Sequence, residues 1–187
     1  MDIGTQENTA TRAPAKTYFD ELTAAMALLA EHPKTVFVGQ AVKYPGQAAF
    51  KTFEGVPMDR RIEMPVCEDF QMGFCIGLAL EGYIPVCFYP RWDFLLMAAG
   101  QLVNHLDKMP LMSGFKPKVI IRTAVGRSAP LNPGPQHTQN HTHAFRQMLS
   151  TVDIDELFNA KYIVPTYQRA LESKRSSIVV EHMSKYK

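Results

Sequence analysis

Long apolar runs are missing from this 187-residue chain. No stretch approaches the about 18 consecutive apolar residues that a membrane span needs. Residues 1–16 are polar with no apolar core segment, so no secretory leader is read from them either. Charge of one sign is missing too. Twenty Lys and Arg against 18 Asp and Glu leave a net charge of +2, which excludes the basic footprint of a nucleic-acid binder. Cysteine is scarce: Cys67, Cys75 and Cys87 are odd in number, lie in apolar surroundings and lack metal-type spacing. The expectation is three reduced core thiols in a cytoplasmic protein. Phosphate-cradling glycine loops of the Walker or dinucleotide type, a nucleophile elbow, repeats and low-complexity tracts are all absent.

What is present is a core. Apolar residues make up 46% of the chain, which with the low net charge excludes general disorder. Its length suits one domain, assigned to residues 17–187 behind a flexible tail at 1–16. Tyr18, Leu22, Ala25, Met26 and Leu29 keep helical spacing, and Pro33 closes that helix ahead of a strand at Thr35–Gly39. Residues 40–61, with Pro45, Gly46, Gly55 and Pro57, predict an irregular excursion. A helix from Glu68 to Glu81 ends at Gly82, a suitable left-handed cap, and the strand Ile84–Phe88 follows at once. Trp92, Leu95, Leu96, Ala99, Leu102, Val103 and Leu106 form an apolar stripe over four helical turns. Further strands are predicted at Lys118–Arg122, Tyr162–Val164 and Ile178–Glu181. Short continuous apolar strands alternating with helices predict an α/β fold in three layers, a mostly parallel sheet with helices on both faces.

The segment from Arg61 to Lys108 is the most informative. It sets one carboxylate, Glu68, at the mouth of a helix whose Gly73, Gly77 and Ala79 let a backbone or flat ligand come close. By itself an acid in a first helical turn is ordinary electrostatics. The polar stretch 123–143 follows a strand, where ligands gather in open α/β sheets. It holds His137, His141 and His143, whose spacing allows three nitrogen ligands for zinc, although no Asp, Glu or Cys lies within the loop to support them. Arg91, Arg122 and Arg127 are candidates for contacts to a substrate carboxylate.

Pro65-Val66-Cys67-Glu68, Gly73-Phe74, Ile76-Gly77, Gly82, Pro85, Gln101-Leu102-Val103-Asn104 and Gln136-His137-Thr138-Gln139 recur in one order. In that order and spacing the chain, from Thr17 to the Val180-Glu181-His182 strand, resembles the pyrimidine-binding domain of thiamine-diphosphate enzymes. It is most similar to the β subunits of the decarboxylating component of 2-oxo-acid dehydrogenases. The resemblance implies the thiamine-diphosphate-binding fold, with Glu68 hydrogen-bonding the cofactor's aminopyrimidine so that its imino form becomes the base, Val66 and Phe94 holding the ring, and His137 moving protons or binding a substrate carboxylate. In Gln136–Gln139 the family's serine is Thr138, which keeps a hydroxyl.

Two departures bear on function. The family's C-terminal domain would begin where this chain stops, and its GDG-type magnesium and diphosphate segment is missing. The resemblance therefore implies half of a shared site, with thiamine diphosphate and magnesium held mainly by a diphosphate-binding partner subunit, in a homodimer or a two-plus-two heterotetramer. The substrate implied is a 2-oxo acid, decarboxylated with acyl or aldehyde transfer. Ketol transfer from a sugar, of the transketolase type, is the alternative, and a non-catalytic scaffold or regulator of the same fold is another. Pro90, Arg91 and Trp92 replace residues that are smaller or less charged in the family, and Pro130 to Pro135 stiffen a loop otherwise richer in glycine.

Overall fold

The computed structural model describes residues 16–127 and 132–186. All of the assigned tail except Lys16, and Pro130 of the proline-stiffened loop, lie outside them. Six strands form one sheet: β1 (Thr35–Gly39), β2 (Arg61–Glu63), β3 (Ile84–Phe88), β4 (Ile120–Val125), β5 (Asp153–Glu156) and β6 (Ser177–His182). Their order is β2-β1-β3-β4-β6-β5, and every neighbouring pair is parallel. The chain thus leaves β1 for one edge, crosses back to β3, and completes the sheet on the other side.

Alternation along each strand feeds two cores, as a sheet covered on both faces requires. Phe37, Val86, Phe88, Ile120 and Val179 face α1 (Tyr18–Glu31) and α6 (Ile163–Glu172). Val38, Cys87, Ile121, Ile178 and Val180 face the layer of α2 (Glu68–Leu80), α3 (Trp92–Met97) and α5 (Thr142–Met148). The first helix starts as its sequence dictates: Thr17 and Asp20 form a reciprocal capping box, worth about 1 kcal/mol. At the end of α2 Gly82 takes a φ of +81°, the left-handed turn that glycine tolerates.

Several expectations are corrected. Tyr162–Val164 is not a strand, because Ile163, Thr166, Tyr167 and Ala170 make a helical stripe that buries α6 against α1. The true edge strand, β5, reads Asp-Ile-Asp-Glu and buries Ile154 alone. The excursion at 40–61 ends in the three-residue β2. The helix at Trp92 does not run evenly for four turns: it breaks at Ala98, widens into a π-helical turn at Gln101–Leu106 and restarts as α4 (Met109–Ser113). Ala98 is buried and Leu96 is exposed, departing from the predicted stripe. Cys75 and Cys87 are core thiols, but Cys67 is exposed at the start of α2.

Candidate functional site

The crossing from β2 over β1 to β3 creates the crevice beyond the carboxyl ends of β1 and β3 where ligands bind in open parallel sheets. Glu68 is the first residue of α2, on the connection that makes that crossing. No side chain caps α2, so its acid does not act as the cap. The carboxylate is half-buried, and among the described residues its one hydrogen bond is from Gln40 Nε2, which donates to Oε1 at 3.4 Å. Its backbone is held more firmly. The Tyr89 hydroxyl donates to the Glu68 carbonyl at 2.9 Å, and burial pushes that phenol well above its ordinary pKa, so it remains a donor.

Phe94, on α3, is half-buried, and its ring centroid lies 5.5 Å from that of His137, which comes from the turn after β4. His137 Nδ1 is buried without a hydrogen-bond partner among the described residues. Next to Phe94, Asp93 accepts from Gln139 Nε2 at 2.8 Å through one oxygen and buries the other unpaired. Asp93 therefore ties α3 to the segment carrying His137. Val66 is 79% exposed just ahead of α2. Glu68, Phe94 and His137 arise on the segments following β2, β3 and β4, at the same end of the parallel sheet, and of the three Phe94 and His137 are in ring contact.

The three imidazoles of the 137–143 stretch are used separately. His137 meets Phe94, His141 packs edge-on to Trp92 at 6.5 Å, and His143 is exposed on α5. Among the described residues no group of three or more His, Cys, Asp or Glu is placed to hold a metal ion. Arg122 is corrected as a substrate contact. It is wholly buried on the opposite face, paired with Glu181 at 2.6 Å. Burial alone would drive its pKa down, but the Glu181 carboxylate outweighs that and holds the guanidinium above its ordinary value. Arg91 and Arg127, in contrast, line one cavity of about 280 Å³ with Gly46, Gln47, Ala48, Pro90 and Met183.

Gln40, Tyr89, Asp93 and Glu63 were not singled out from sequence. Glu63 accepts from the backbone N–H groups of Ala41, Val42 and Lys43 at 2.5, 3.0 and 2.7 Å, fixing the loop after β1. An acid closing a three-residue edge strand was the only signal for it.

The chain is similar to the β subunits of the pyruvate dehydrogenase E1 component. The subunit from Chlorokybus atmophyticus is 27% identical over 161 residues, 82% of this chain and 46% of the relative. The chloroplastic β-3 subunit of Arabidopsis thaliana is 28% identical over 162 residues, covering 82% and 38%. The chain therefore spans less than half the length of these curated relatives. No family model matches it. A solved structure described as the inactive β4 tetramer of a split-gene transketolase shares the fold. Its TM-score is 0.68 at 20% identity, over 89% of this chain and 51% of that one.

Proposed function

We propose that this relative of the pyruvate dehydrogenase E1 β subunits is the pyrimidine-binding half of a split thiamine-diphosphate enzyme, completed by a partner chain that supplies the magnesium and diphosphate ligands. Glu68 carries this reading: a half-buried carboxylate at the crossover with one long hydrogen bond among the described residues. A carboxylate there fits the ring nitrogen of an aminopyrimidine, which gives it the short hydrogen bond the chain does not. The unpaired, buried Nδ1 of His137 and the half-buried ring of Phe94 are equally suited to a flat, polar ligand.

Thiamine diphosphate, when bound, supplies a nucleophilic carbon and an electron sink for cleaving the bond beside the carbonyl of a 2-oxo acid. Glu68 shares a proton with the pyrimidine nitrogen, and Tyr89 fixes where its backbone begins. Phe94 stacks on the ring and excludes water, and Val66 adds apolar contact beside it. His137 holds or delivers a proton on the substrate side, with Asp93 and Gln139 anchoring its segment. The reaction proposed is decarboxylation of a 2-oxo acid with acyl or aldehyde transfer. Ketol transfer is the second reading, favoured by the fold shared with the split transketolase.

Assembly belongs to the same proposal. Phe70 on α2 and Met97 on α3 are 56% and 67% exposed, and Leu80 and Leu96 stand exposed on the same two helices. Apolar side chains presented this way suit a subunit interface, in a homodimer or, with the partner, a two-plus-two heterotetramer. A cytoplasmic location is part of the proposal, and the three free thiols Cys67, Cys75 and Cys87 are compatible with it.

Calorimetry of the chain alone tests the division of labour. Stacking and two or three hydrogen bonds give an expected dissociation constant of roughly millimolar, with no dependence on magnesium. Micromolar, magnesium-dependent binding by the chain alone would show that it holds the half of the site assigned to the partner.

A further inference from the structure

Arg91 and Arg127 bring two permanent positive charges to one small cavity beyond the carboxyl ends of β3 and β4. Both are half-buried, and among the described residues that line the cavity none is acidic. The acid that fixes the neighbouring loop, Glu63, is already engaged by three consecutive backbone N–H groups. Arg91 donates through Nη1 to the His137 carbonyl at 2.7 Å, a neutral acceptor that leaves its charge uncompensated. A cavity of about 280 Å³ is just below the roughly 300–1,000 Å³ of pockets for drug-sized ligands, so it takes a compact group.

We propose that this cavity binds the dianionic end of the substrate, a phosphate monoester in preference to a monocarboxylate. Two guanidinium forks match the several oxygens and double charge of a phosphate, whereas a carboxylate satisfies one fork. Pro90, Ala48 and Met183 supply apolar wall for the few carbons next to it. Through Arg91 the anion is seated one hydrogen bond from the backbone of His137, which sets the distance between the charged tail and the reacting end. Gly126 makes that bond possible: a Cβ there would land on the His137 carbonyl and 2.5 Å from Arg91 Nη1. The word "substrate" rests on the function proposed above, while the anion site itself stands independently of it.

Titrating the isotopically labelled full chain with inorganic phosphate should shift the amide signals of Gly46, Gln47 and Arg127 saturably, and acetate should bind at least about tenfold more weakly. Arg127→Gln should weaken phosphate binding by about tenfold or more, and Arg127→Lys, which keeps the charge but not the fork, should recover part of it, which shows that the loss is not of fold. An Arg127→Gln chain that binds phosphate like the wild type, or acetate binding as tightly as phosphate, overturns the proposal. Exchange of the thiazolium proton in the reconstituted complex reports separately on function. Phosphate binding without exchange removes the thiamine reading and leaves the anion site. Exchange without phosphate binding removes the anion site alone.

Discussion

Two polar clusters on opposite faces of this sheet are built in opposite ways. On the α1/α6 face the polar cluster is closed. Arg122 is held by both oxygens of Glu181 and by Thr52, its guanidinium lies against the rings of Phe53 and Phe88, and the hydroxyls of Tyr167 and Tyr186 complete Glu181. On the α2/α3 face, beyond the strand ends, polar groups are left open: one oxygen of Asp93, Nδ1 of His137 and most of the Glu68 carboxylate. Burying a polar group unpaired costs roughly 1–3 kcal/mol. A chain that closes the Arg122–Glu181 cluster so fully while leaving Asp93 and His137 open is holding the second cluster for something outside itself.

The largest effect that could break this comparison is catalytic. In the complex reconstituted with its partner, Glu68→Gln should slow exchange of the thiazolium proton by on the order of 10²–10⁴, because the amide cannot share a proton with the pyrimidine. Its unfolding free energy by chemical denaturation should stay within about 1 kcal/mol of wild type. Wild-type exchange in an otherwise active Glu68→Gln complex would remove Glu68 from the chemistry.

Arg122→Ala should do the reverse. Stranding the Glu181 charge in the core should cost about 3–5 kcal/mol by chemical denaturation, a large share of a typical domain's stability. A loss below about 1 kcal/mol would mean that the closed cluster is not the structural element assigned to it.

A third test concerns Asp107, a carboxylate of the site-bearing layer whose bonds are nonetheless complete. It accepts from the N–H groups of Ser150, Thr151 and Val152 and from Lys108 Nζ. Burial would raise its pKa, but the Lys108 ammonium and the Thr151 and Ser150 donors outweigh that and hold it well below the ordinary carboxylate range. A folded-state pKa below the unfolded value means stability that is present above about pH 4 and lost as the pH falls further. Asp107→Asn should therefore cost about 2 kcal/mol at pH 7, with the gap to wild type narrowing toward pH 2. A gap of constant size across that range would refute the linkage.

The smallest expected change in folding is at the outer surface. Phe70→Ser should alter monomer stability by no more than about 0.5 kcal/mol yet weaken self-association or docking of the partner. Light scattering that finds the wild-type chain a strict monomer at high concentration, with and without the partner, would count against the assembly reading.

The closed face was the harder to read from sequence. Its pairings join Thr52, Arg122, Tyr167, Glu181 and Tyr186, residues up to 70 positions apart, and Arg122 read alone looked like a substrate ligand. Periodicity carried the strands at Thr35–Gly39 and Ile84–Phe88, whose continuous apolar runs are bounded by turn residues. It failed at α6, where Tyr162, Ile163 and Val164 are good strand formers and only packing on α1 makes them helical, and at β5, whose charges disguise an edge strand. Glu68, Phe94 and His137 were named through resemblance to a family, since each alone reads as a helix-start acid, a core ring or a loop imidazole. Asp93 and Gln40 carried no comparable mark.

Gly126 has a consequence for how this protein can change over generations. The missing methyl group there leaves room for both the Arg91 side chain and the backbone carrying His137. Any replacement at Gly126 must push the His137 segment outward, so it would be tolerated only where Arg91 had already become dispensable. Positions 91 and 126 should therefore drift as a pair, and sister lineages that lack the arginine are the ones expected to have released the glycine.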